Sequence, residues 1–130
     1  MIGDFESVHA IAALAVGRIG DELTFTYPRV LEVVKLSTTN EIAVLGFELL
    51  EPTKAGYAAK KLSAYDLPAP TAVDIRNQWP NYVRANNVLA EEFVRANPAG
   101  GDDVYVPTTA SLSEFQSIQE IRKNGESEWG

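Results

Sequence analysis

Cysteine is absent from this chain and histidine occurs once, as His9. Catalysis by a thiolate, a histidine pair or a Cys/His metal centre therefore has almost nothing to draw on. A structural zinc site normally takes four Cys/His ligands, and an iron facial triad needs two histidines. Positive charge is also scarce: 11 Lys and Arg stand against 18 Asp and Glu, a formal charge of −7 over 130 residues. Phosphate binding draws its affinity from Lys and Arg, so DNA and RNA are disfavoured as partners, and so is an anionic membrane surface. No apolar run approaches the ~20 residues that span a bilayer. The segment from Val8 to Ile19 is apolar but follows Asp4 and Glu6, where a signal peptide would carry a basic residue. Glycine-rich phosphate loops, nucleophile elbows and dinucleotide fingerprints do not occur.

What remains is an ordinary globular composition, 45% hydrophobic and 22% charged. The length suits a single domain over residues 1–130 that folds without disulfides or metal, with a frayed tail from about residue 126. The expected setting is the cytoplasm.

The pattern along the chain predicts an α+β fold. An N-terminal helix is expected over Phe5–Ile19, capped by Asp4 and closed by Gly20, with Val8, Ile11, Ala12, Ala15 and Ile19 on one stripe. Leu23, Phe25 and Tyr27 alternate with threonines as a strand that Pro28 interrupts. Val30–Leu36 and Glu41–Leu50 read as a hairpin at about 29–50 across the polar turn Ser37-Thr38-Thr39-Asn40, with Ala43, Leu45, Phe47 and Leu49 on one face. Pro52 ends that hairpin. Ala55–Asp66 alternates as a fourth, exposed strand after a turn at Lys54-Ala55-Gly56, although its alanines and lysines also suit a helix. The expected sheet is thus antiparallel, of three to four strands centred on the hairpin.

C-terminal helices follow a stiff Leu67-Pro68-Ala69-Pro70 connector. Thr71 and Asp74 suggest a cap for a short helix to Gln78, and Pro80 the first turn of another running to Asn97. Val104–Val106 reads as a short strand stopped by Pro107. Ser111 and Glu114 have capping-box spacing before a last helix that Gly125 closes.

Candidate chemistry is thin. His9 lies three residues after Glu6 and would share a helical face with it, but a surface role is the simpler reading. Asp102-Asp103 lacks calcium-loop spacing, and Glu91-Glu92 point in different directions on a helix. No catalytic residue, metal ligand or cofactor is assigned. The one constellation of recognition-type side chains is Arg76, Trp79, Tyr82 and Arg84, since Trp, Tyr and Arg dominate binding hot spots. It lies in the mildly basic stretch 52–95, of net charge +2, between flanks of −5 and −4. Packing of Trp79 and Tyr82 against the sheet is the competing reading.

These features lead to the expectation of a non-enzymatic, acidic protein-binding module, an inhibitor or immunity-type protein engaging a basic partner. The alternatives are a small-ligand protein or carboxylate-based enzyme with a pocket near Trp79 and Tyr82, and a structural subunit of a homo-oligomer or phage assembly. A homodimer through strand edges fits the last of these.

Overall fold

The computed structural model describes residues 4–65 and 74–118. In chain order the elements are α1 (Asp4–Ser7), α2 (His9–Ala12), β1 (Gly17–Ile19), β2 (Glu22–Thr24), α3 (Arg29–Thr39), β3 (Ile42–Thr53), β4 (Gly56–Ala64), α4 (Ile75–Ala96) and β5 (Val104–Ser111), then α5 over residues 112–118. Two antiparallel sheets result: a β1–β2 hairpin, and a three-stranded sheet of order β4–β3–β5. The class is α+β, but the helices are distributed differently from the expected order.

The N-terminal helix is the first correction. Instead of one helix over Phe5–Ile19 there are two single turns separated at Val8, then a strand. Gly20-Asp21 joins Ile19 to Glu22 as a two-residue hairpin turn, with Gly20 at φ 61°. That left-handed conformation is cheap for glycine, so the residue expected to close a helix turns a hairpin.

The hairpin at 29–50 is the second correction. Val30–Leu36 lies in helix α3, where Val30, Val33, Val34 and Ser37 form the buried stripe. Their spacing is helical, and burying each valine contributes roughly 1.5 kcal/mol, more than the small helix penalty of a β-branched side chain. The expected turn is the last turn of this helix. Ser37 Oγ donates to the Val33 carbonyl at 2.7 Å and Thr38 Oγ1 to the Val34 carbonyl at 2.8 Å, so both hydroxyls are satisfied inside the helix. The sheet's hairpin is instead β3–β4, turning at Lys54-Ala55 as expected.

β3 organises the core through a bulge. Val44 pairs with Thr109 and Gly46 with Thr108, leaving Leu45 as an extra residue. An extra residue reverses which parity points inward. Ile42 and Val44 before the bulge therefore join Phe47 and Leu49 after it in one core with α3, Ala90 and Val94. Ala43 and Leu45 meet Trp79, Val83, Leu112 and Phe115 instead. The single face expected from Ala43, Leu45, Phe47 and Leu49 is thus split. Glycine is required next to the bulge: a Cβ at Gly46 would lie 2.3 Å from the Ser63 carbonyl oxygen on β4.

Neither proline ends its strand. Pro52 lies in β3 beyond Leu50, the last residue paired with β5, so only one flank is laddered there. In β5, Tyr105 exchanges backbone bonds outward with Phe25, at 2.8 and 3.1 Å. Two residues on, Pro107 places its ring nitrogen on that same outer edge, where no ladder bond is lost. Pro80 likewise lies within a continuous helix from Ile75 to Ala96, replacing the two expected helices. The Thr71 cap, the connector at 67–70, Gly125 and the tail from 126 lie outside the described residues.

α4 runs along the β3 edge that β4 does not reach. β4 pairs with β3 only up to Gly46–Ala64, and the Tyr65 N–H adds one bond to the Leu45 carbonyl at 3.3 Å. Beyond that point two asparagines on α4 serve the exposed edge of β3. Asn87 Oδ1 accepts from the Val44 N–H at 2.8 Å, and Asn87 Nδ2 donates to the Ile42 carbonyl at 3.0 Å and to Thr38 Oγ1 at 2.9 Å. Asn86 Nδ2 donates to the Val44 carbonyl at 2.8 Å and to Asn87 Oδ1 at 3.1 Å. Both side chains are buried, so side-chain amides here replace a strand.

Candidate functional site

The expected recognition cluster does not assemble as a unit. Trp79 is fully buried, its indole Nε1–H donating to the Glu41 carbonyl at 2.7 Å. Its ring lies 5.4 Å from Tyr82 and 5.2 Å from Phe115, and Tyr82 lies 6.3 Å from Phe115. The two aromatics thus join α4 to α5 by packing, and burial raises the Tyr82 hydroxyl pKa above its ordinary value. Arg76 and Arg84 are both exposed. Arg84 donates to Asn81 and lines a groove between α3 and α4, whereas Arg76 does not border it.

That groove, about 380 Å³, lies over Val34, Thr38, Asn87 and Val88, with Lys35, Arg84 and Glu91 among its lining residues. A neighbouring depression of about 270 Å³ shares Lys35 and Glu91 and adds Arg29, Glu32 and Arg95. The charges are mixed and partly paired. Arg95 meets Glu91 at 2.8 Å, and Lys35 approaches Glu32 at 4.0 Å. Exposed pairs of this kind contribute little and leave no strong field of one sign.

A third depression, about 200 Å³, has a different character. Phe5, Leu23 and Pro107 form a buried apolar floor, and among the described residues the only charged ones lining it are Glu6, Glu22 and Glu114. Three separate elements supply these carboxylates: α1, β2 and α5. Glu114 is held by the expected capping box, in which the Ser111 N–H donates to Glu114 Oε1 at 3.0 Å and the Glu114 N–H donates to Ser111 Oγ at 3.2 Å. The Ser111 hydroxyl in turn donates to the Asp4 carboxylate, tying α1 to the end of β5. Among the described residues Glu6 has one cationic neighbour, Arg18 at 3.5 Å. The sequence carried no sign of this grouping, because the three glutamates are far apart in the chain.

His9 and Glu6 fall on different helical turns, and His9 is exposed while Glu6 meets Arg18. Asp103 accepts from Lys60 Nζ at 3.0 Å across the sheet. This hydrogen bond, reinforced by the carboxylate's charge, raises the Lys60 pKa. Among the described residues no three His, Cys, Asp or Glu side chains are placed to share a metal ion, and no helix is long and apolar enough to cross a membrane. No family model matches the chain, and no curated protein or solved structure shows significant similarity to it.

Proposed function

We propose that this protein is a non-enzymatic binding module that engages a basic segment of another protein through the depression rimmed by Glu6, Glu22 and Glu114. The observation that supports this reading is charge of one sign over an apolar floor. A lysine or arginine has the matching build: an aliphatic stem for Phe5, Leu23 and Pro107, and a cationic head for the carboxylates. A cleft lined by one sign of charge also focuses the field of the whole −7 chain and accelerates encounter with a cation. Arg18 stands beside Glu6 as the internal cation that a partner's side chain would displace. An inhibitory or immunity-type role in the cytoplasm is the biological form we favour, since occupying a basic surface on another protein needs no chemistry from this one.

The test is capture of partners at low and high salt with the wild-type chain, Glu22→Lys and Glu6→Gln. Lys- or Arg-rich partners should bind at low salt, be released at high salt as screening shortens the Debye length, and be lost from Glu22→Lys. Partners that bind all three chains equally would defeat the reading.

The second reading, a small-ligand site, moves from Trp79 and Tyr82 to the α3–α4 groove, the largest of the three depressions and lined in part by Val34 and Val88. Loss of ligand binding in Val88→Glu with unchanged circular dichroism would favour it.

A further inference from the structure

β4 is the outer strand of its sheet, hydrogen-bonded among the described residues to β3 alone. It is also where two large apolar side chains are left in solvent, Tyr57 at 49% and Leu62 at 70% exposure. Five positions apart on a regular strand, they would point to opposite faces. Here they do not. Leu49 pairs with Lys61 and Leu50 with Ala59, so Lys60 is an extra residue in a bulge. Tyr57, Ala59 and Leu62 consequently oppose Pro52, Leu50 and Glu48, alternate positions that share one face of β3. On that face Leu50 already packs with Val104 and Val106. The apolar strip therefore reaches the open edge through Leu50 and Ala59, with Glu48 between Val106 and Leu62.

We propose that this edge pairs with the same edge of a second copy, forming an antiparallel six-stranded sheet about a two-fold axis through Ala59. The strand is self-complementary in that register. With Ala59 set against Ala59 and one bulge counted in each strand, Tyr57 of each copy faces Leu62 of the other on the same side of the sheet. Directly opposed aromatic and aliphatic side chains are the pairs that stabilise a ladder, and alanine at the axis lets the strands close without obstruction. The usual guard against such pairing is lysine on an edge strand. β4 has two, but both are drawn back over their own sheet: Lys60 Nζ donates to Asp103 at 3.0 Å and Lys61 Nζ to Asn97 Oδ1 at 2.6 Å. Within the three-stranded sheet, β5 is bridged on its outer edge at Tyr105 by Phe25, and the first half of β3 is bonded by Asn86 and Asn87. The β4 edge is a different face from the acidic depression, and its pairing stands independently of that depression's role.

Absence of native cysteine makes the register directly testable. Opposed residues of an antiparallel pair have Cα atoms about 4.5–5.5 Å apart, within the range a disulfide bridges. Mild oxidation of the full chain carrying Ala59→Cys should therefore yield a covalent dimer quickly, while Lys35→Cys on α3 should not. Sedimentation of the wild-type chain should show a concentration-dependent dimer, and Leu62→Lys should raise its dissociation constant by about tenfold or more, with unchanged circular dichroism. A wild-type chain that stays monomeric at high concentration overturns the proposal. So does a dimer indifferent to Leu62→Lys, or an Ala59→Cys chain that cross-links no faster than the α3 control.

Discussion

The two flanks of β3 face the same problem and meet it differently. A strand edge presents backbone donors and acceptors that must find partners. On one flank β5 runs the whole way from Ile42 to Leu50. On the other, β4 covers only the second half, and the first half is bonded by Asn86 and Asn87 from a helix. The strand-covered half continues outward to another edge, that of β4. The amide-covered half ends the sheet. A ladder passes the pairing problem on to its neighbour, whereas a pair of buried side chains closes it.

The difference predicts a ranking of mutational effects. The largest loss should come from Asn87→Ala, which leaves the Val44 N–H and Ile42 carbonyl without partners in a buried place. At roughly 1–3 kcal/mol per stranded group, a loss of about 3 kcal/mol or more is expected from urea unfolding. An effect below about 1 kcal/mol would show that water enters the edge and that the amide is not its seal. Next is Gly46→Ala, whose methyl meets the Ser63 carbonyl and forces β3 from β4. Overpacking of this kind costs about 1–3 kcal/mol, and hydrogen exchange should rise in β4 before it rises in α4.

Asn86→Ala should be milder than Asn87→Ala despite the same burial. Asn86 Oδ1 has no hydrogen-bond partner among the described residues, so truncation removes an unsatisfied acceptor along with the donor to Val44. A loss of about 1 kcal/mol is expected, and a loss equal to that of Asn87→Ala would mean that the two amides act as one unit.

The smallest effect concerns pH. Burial raises the hydroxyl pKa of Tyr65, Tyr82 and Tyr105 above the ordinary 10.0. A raised folded-state pKa means that the native chain holds protons the unfolded chain releases. The associated stability is therefore whole below pH 10 and falls as pH rises through the higher folded values. Tyr105 accepts from the Ala99 N–H at 2.8 Å and donates to the Asn97 carbonyl, fastening the chain after α4 to β5. Tyr105→Phe should lower stability near neutrality, yet show a shallower alkaline decline in unfolding midpoints. An unchanged alkaline slope would assign the decline to the other two tyrosines.

How far these features were legible in the sequence depends on how local their causes are. The Ser111/Glu114 box bonds in both expected directions because capping is settled within four residues. β4 and its turn were readable from alternation beside glycine. α3 differs from the expected strand because Val30, Val33 and Val34 favour strands individually, while the spacing that includes Ser37 is helical. A strand at 30–36 would also take β3, the partner that belongs to β4. Bulges at Leu45 and Lys60 switch the faces of the residues after them, yet neither has a composition that announces it. Trp79 and Tyr82 had the right types for recognition, but the same types serve packing, and only the contact with Phe115 decides between them.

The two bulges also set how the chain can change length. Each is a one-residue insertion already absorbed by the sheet, so their neighbourhoods are unequal targets for gain or loss of a codon. Deleting Leu45 removes the extra residue and keeps Ile42 and Val44 on the face of Phe47 and Leu49, but strips Leu45 from the cluster around Trp79. Deleting Lys60 leaves Tyr57 and Leu62 four positions apart and still on one face, and costs only the exposed bond to Asp103. Variants one residue shorter should therefore be tolerated at the two bulges, more readily at exposed Lys60 than at Leu45, and lost where a paired residue of β3 is removed, a length signature by which diverging copies of this gene could be aligned where their residues no longer agree.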